Sequence, residues 1–152
     1  LELLAVQRRD NGQWAIPGGM VDRGEEVSRT LVRELREETG VELDMALGTL
    51  TYQGYVDDPR NTDHAWMETT ARHLHLAADS ADRMSLRAGD DARAVRWLPL
   101  TLQTVGALYA SHCALITTAL GMMIRMNPFG LTDRECDLLQ PLLQALEGKT
   151  LR

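Results

Sequence analysis

Residues 1–8 are apolar and compact, which predicts a buried strand, and Asp10-Asn11-Gly12 supplies the turn for a hairpin return through Trp14-Ala15-Ile16. Pro17-Gly18-Gly19 stops that strand and opens a loop in which backbone N–H groups can approach a ligand closely. From Glu25 or Glu26 to Thr39 the pattern changes to helical, with Leu31, Val32 and Leu35 on one apolar arc and acidic residues expected in the first turn. Gly40 stands where a left-handed residue ends a helix. Residues 47–56 and 65–76 read as strands around a polar loop, residues 77–88 as a polar connection, and residues 94–98 as a strand ended by Pro99. A long helix is expected over residues 105–126. Thr132 and Glu135 form a capping box ahead of an amphipathic helix carrying Leu138, Leu139, Leu142, Leu143 and Leu146, which Pro141 should kink or interrupt.

The helix ending at Thr39 also carries chemistry. Glu34 is three and four residues from Glu37 and Glu38, so the three carboxylates are neighbours on one side. Such a cluster repels itself unless a cation sits in it. Oxygen donors select a hard ion, Mg²⁺ or Mn²⁺, and such ions commonly serve phosphate chemistry. Arg33 falls among these carboxylates and is expected to orient one of them.

A chain of 152 residues with 44% hydrophobic and 25% charged content suits one globular domain with its own core. A net charge of −6 gives no basic surface for duplex nucleic acid. No apolar run reaches membrane-spanning length, since residues 113–126 are interrupted by Thr117, Thr118, Gly121 and Arg125. Cys113 and Cys136 read as reduced thiols of a cytoplasmic protein. The chain begins at Leu1 inside a strand, so an N-terminal part is expected to be missing, and oligomeric state is left open. Two regions are expected, 1–126 as the main domain and 127–152 as a helical tail.

The run GMVDRGEEVSRTLVRELREETGV resembles the Nudix box, with Gly19, Glu25, Arg33, Glu34, Leu35, Glu37, Glu38, Gly40 and Val41 at its fixed positions. The alternative is a solvated Glu/Arg helix with no site. Further stretches (WAIPGGMVD, GYVDDPRNTDHAWMET, AGDDARAVRW and LYASH) extend the likeness across residues 3–112, to the mitochondrial-type ADP-ribose pyrophosphatases and the homologous domain of the ADP-ribose-gated melastatin channel. The resemblance implies an α/β fold, the Nudix α/β/α sandwich with a mixed sheet, and Mg²⁺-dependent (or Mn²⁺-dependent) hydrolysis of ADP-ribose to AMP and ribose 5-phosphate. It implies metal positions at Gly19, Glu34, Glu37 and Glu38. Catalytic positions are Glu37, Glu38 and Arg33, with Asp91 as first choice for general base, Asp90 as second and Glu68 as third. Substrate contacts fall on Asp58, Arg60, Asn61, His64, Leu108, Tyr109 and Ser111. The subgroup has Asn where this chain has His64, which can replace it through Nδ1 or change the preference. Two other functions stay open: an ADP-ribose-sensing or regulatory domain, and hydrolysis of another nucleoside diphosphate derivative.

Overall fold

The structure, a computed structural model, describes residues 1–89, 91–128 and 130–146. Two compact units emerge, each assembled from separate stretches of chain.

The first unit takes residues 2–49 and 74–98. Strands β1 (Glu2–Arg8), β2 (Trp14–Ala15) and β5 (Ala92–Pro99) form a sheet in the order β2-β1-β5. β1 and β2 are antiparallel, with Val6 opposite Ala15 and Gln7 opposite Trp14. Gly12, at φ 73°, turns the expected hairpin, which Arg8 closes by donating its N–H to the Gln13 carbonyl at 2.9 Å. Helix α1 (Val27–Thr39) ends at Gly40, whose φ of 72° is the left-handed conformation predicted for it. A 3₁₀ turn, Met45–Leu47, follows. A short helix, α2 (Ala78–Asp82), lies in what reads by sequence as a polar connection. Ala5, Val6, Ala15, Leu35, Val41 and Ala92 are buried here.

The start of α1 differs from expectation. Glu26 is the N-cap residue, in an extended conformation, and the first turn contains no acidic residue. Glu25 lies outside the helix because its carboxylate is taken by Arg33, eight residues on, rather than by the helix dipole.

The second unit takes Leu1, residues 50–73 and those from Pro99 onward. β3 (Thr49–Tyr55) and β4 (Glu68–His73) pair as a two-stranded sheet. β4 is shorter than its apolar pattern predicts, because Thr62 and Ala65 are held in an isolated bridge within the preceding loop. The helix expected over residues 105–126 is two helices, α3 (Leu102–Gly106) and α4 (His112–Met126). Thr101 starts the first early by accepting the Thr104 N–H at 3.2 Å, and Ala110, at φ 48°, cannot continue it. Helix α5 (Asp133–Leu146) packs against α3 and α4 and buries Leu139, Leu142 and Leu146. Its capping box is present: Thr132 Oγ1 accepts from Glu135 N at 3.3 Å, and the Glu135 carboxylate accepts from Thr132 N at 2.8 Å. Pro141 does not end the helix, which runs on to Leu146. The ring removes one backbone donor between two buried leucines whose packing spans the defect. The end of the expected tail, residues 147–152, lies outside the described residues.

Among the described residues no helix is long and apolar enough to cross a membrane.

Candidate functional site

The chemistry-bearing residues of the first unit gather around Arg33. Its Nε and Nη2 donate to the two Glu25 oxygens at 3.0 and 2.9 Å. Nη1 donates to Glu34 Oε1 at 2.8 Å and Glu37 Oε2 at 3.1 Å, and Nη2 reaches the Met20 carbonyl at 3.2 Å. A guanidinium has five N–H groups, and these five bonds use them all. The Thr30 hydroxyl, on a buried residue, adds a bond to Glu25 Oε2 at 2.7 Å. Arg33 first, and Thr30 after it, hold the Glu25 carboxyl down to about 2. Arg33 itself is raised, by Glu25 and then Glu34.

Glu38 sits differently. Its Oε2 accepts the Gly18 N–H at 2.9 Å. Burial, with further contributions from the Glu34 and Asp91 charges, pushes its carboxyl up to about 7. Gly19 closes the arrangement from the loop side: a Cβ there would lie 2.2 Å from the Glu34 carboxyl carbon. With the Glu34 carboxylate where it stands, residue 19 has no room for a side chain.

This donor set suits a hard divalent cation. Glu25, Glu34 and Glu37 against one guanidinium leave two negative charges uncompensated, beside the partly buried Glu38. Glu34, Glu37 and Glu38 each use one oxygen on a protein donor and keep the other free of protein hydrogen bonds among the described residues. All donors are oxygens, as Mg²⁺ or Mn²⁺ prefers. Among the described residues no three such side chains enclose an ion as they stand, since Arg33 holds two of them. Glu25, Arg33 and Glu37 also line an open concavity of about 770 Å³ along α1.

Asp91 is exposed, close enough to Glu38 for the two charges to interact. Asp90 lies outside the described residues.

In the second unit, the loop between β3 and β4 is held by its own side chains. Asp58, 7% exposed, accepts from Arg60 N at 2.9 Å, Nε at 2.8 Å and Nη2 at 2.9 Å. Arg60 lowers the Asp58 carboxyl, with His112 pulling the same way more weakly, and Asp58 raises Arg60, with Tyr109 contributing. The structure thus brings Asp58, Arg60, Tyr109 and His112 together. Tyr109 is buried and meets His112 edge-on, ring centres 5.9 Å apart. Asn61 is committed to backbone: Nδ2 donates to the Val56 carbonyl and Oδ1 accepts the Met67 N–H, both at 2.8 Å. Leu108 is a core residue, and Ser111 is the N-cap residue of α4 without a side-chain cap bond. His64 is exposed at the loop tip.

Glu25 and Thr30 join the site in addition to the positions expected from sequence. The spacing from Gly19 to Glu25 and on to Arg33 contained the signal for Glu25. Nothing in the local pattern marks Thr30, whose partner lies five positions back.

The NUDIX domain family description matches residues 2–108. The chain is 45% identical over 134 residues to the mitochondrial ADP-ribose pyrophosphatase of Rattus norvegicus, covering 76% of this chain and 38% of the rat protein. It is 44% identical over 133 residues to the transient receptor potential cation channel subfamily M member-like 2 of Nematostella vectensis, covering 76% of this chain and 8% of the channel. This chain therefore spans less than half the length of either relative. Among solved structures, the NUDIX domain of Shewanella oneidensis NrtR complexed with ADP ribose superimposes with a TM-score of 0.63 at 22% identity, covering 80% of this chain and 77% of that one.

Proposed function

The chain belongs to the Nudix family, and from that premise we propose that it hydrolyses the diphosphate of ADP-ribose to AMP and ribose 5-phosphate with Mg²⁺ or Mn²⁺. The observation that carries the hydrolytic part is the oxygen-only set of Glu34, Glu37 and Glu38, of which Glu34 and Glu37 share Arg33 and Glu38 accepts from the Gly18 N–H. The likeness to the rat pyrophosphatase supports the choice of substrate.

Glu34, Glu37 and Glu38, with the close approach of Gly19, would hold the ion. When bound, such an ion polarises the diphosphate and lowers the pKa of water. Arg33 holds Glu34 and Glu37 in place, and its saturated donors keep it from serving as a phosphate ligand at the same time. Asp91, with Asp90 as second choice, takes the proton of the attacking water as its oxygen bonds to phosphorus and the bridging P–O bond breaks. Arg60, Asp58, Asn61, His64, Leu108, Tyr109 and Ser111 are assigned to the substrate. Within that group Asn61 and Leu108 already have structural work, whereas the Arg60 side chain stays half exposed beyond its bonds to Asp58, which supports it as a substrate contact. Arg is suited to phosphate. A cytoplasmic location is part of this reading, and the rat relative's mitochondrial name makes cell fractionation its check.

The likeness to a channel chain supports a second reading, an ADP-ribose-sensing domain. One experiment separates them. Purified protein is incubated with ADP-ribose and Mg²⁺, and the products are resolved by anion exchange. The expected result is AMP with ribose 5-phosphate, abolished by chelation and reduced by orders of magnitude in a folded Glu38→Gln variant. Tight binding without turnover moves the assignment to the sensor. Turnover that another nucleoside diphosphate derivative outcompetes corrects the substrate.

A further inference from the structure

The segment before β5 lies on the last turn of α1. The Arg87 N–H donates to the Thr39 carbonyl at 2.8 Å, and the Gly89 N–H to the Glu38 carbonyl at 3.3 Å. Carbonyls of a helix's last turn have no intrahelical donor, so these two bonds complete α1 from outside. The approach is close enough to dictate a residue type. A Cβ on Gly89 would stand 1.7 Å from the Glu37 carbonyl oxygen and 2.9 Å from its carbon. Both atoms are backbone and cannot swing aside. Gly89 is therefore required by space, whereas Gly40 is required by its left-handed φ of 72°, since a Cβ there would meet the Arg87 backbone only at an ordinary 3.5 Å.

The other end of the segment is also pinned. The Ala92 N–H donates to the Gly89 carbonyl at 3.2 Å, Ala92 is 2% exposed, and its carbonyl accepts Arg9 Nε at 3.2 Å. Asp91 lies between these two fixed points.

We infer that Gly89 is a positioning residue for hydrolysis, acting through Asp91: its missing side chain lets residues 87–89 dock on the metal-ligand helix and so sets where Asp91 stands beside Glu38. The inference rests on the hydrolytic reading above and adds the device that places the base.

The test is a double-mutant cycle of Gly89→Ala and Asp91→Asn, read by kcat and KM for ADP-ribose. Misplacement by about 1 Å can cost on the order of 100-fold in rate. Gly89→Ala is expected to lower kcat at least tenfold with KM within about threefold, and to add little to the loss already caused by Asp91→Asn, because residues acting as a unit are not additive. Gly130→Ala serves as the stability control. It strains a left-handed glycine at φ 65° with nothing within 4 Å, and is expected to lower Tm while leaving kcat unchanged. Fully additive losses, or normal kcat in Gly89→Ala, overturn the inference. Should Gly89→Ala fail to fold, hydrogen exchange on the wild-type protein decides: slow exchange at the Arg87 and Gly89 amides supports the docked segment, and unprotected amides overturn it. Wild-type protein that does not turn over ADP-ribose defeats the functional reading instead, and the exchange measurement still tests the docking.

Discussion

Asp58 and Arg60 form the pair whose pH dependence is simplest to derive. The Arg60 guanidinium holds the Asp58 carboxyl below its ordinary 3.8. A carboxyl lowered in the folded state stabilises fully above its unfolded value and loses that contribution as pH falls through the folded one. Asp58→Asn should therefore lower Tm near neutral pH, at a cost of about 1–3 kcal/mol for a buried hydrogen-bonded acceptor. The gap to wild type should narrow as pH drops below about 4. A gap independent of pH in thermal unfolding would show that shape and not charge is what Asp58 contributes. The neighbouring Asn61 marks the limit of sequence reading at this scale. Its amide satisfies the Val56 carbonyl and the Met67 N–H with the same donor and acceptor that a sugar hydroxyl would use. Residue type alone cannot say which partner it takes.

α1 was the most legible element, because spacing on a helix translates directly into neighbourhood. The Gly40 terminus stands as the pattern predicts, and Arg33, expected to orient one carboxylate of the helix, bonds two, Glu34 and Glu37. The misread start of the helix has a nonlocal cause, since Glu25 is drawn out of the first turn by a partner eight residues later. The break between α3 and α4 was invisible for another reason. α4 buries Leu115, Thr117, Ala119, Leu120, Gly121 and Met123, which are not confined to one stripe, so its periodicity offers no boundary. The loop ahead of α1 gives a prediction of its own. A Cβ at residue 19 would meet the end of the Glu34 side chain, which can move aside, so Gly19→Ala should fold with little change in Tm. The displaced carboxylate should weaken Mn²⁺ binding by about tenfold or more, the scale of change expected when a ligand's support is altered. Titration calorimetry showing wild-type affinity would remove Gly19 and Glu34 from the metal positions together.

At the scale of the whole molecule, the Nudix fold was legible from one motif and its flanking stretches, whereas the division into two compact units was not, because each unit is made from stretches far apart in the chain. The C-terminal helix belongs to the second unit's core. Leu146 is fully buried, and Leu146→Ala should cost about 2–5 kcal/mol by the usual range for a buried leucine. Denaturant unfolding with an unchanged midpoint would mean that α5 is dispensable. The interleaving of the units also governs how the chain reaches its fold. β1 shares a sheet with β5, and Arg9 bonds Ala92 across 83 positions of sequence. Translation delivers β1, β2 and α1 long before the strand that completes their sheet. The nascent chain must carry an unpaired sheet edge and an α1 whose last carbonyls lack their donors until residues 87–98 have emerged. High contact order of this kind slows folding and lengthens exposure to aggregation. The carboxylate helix is thus synthesised well before the segment that completes its C-terminal end.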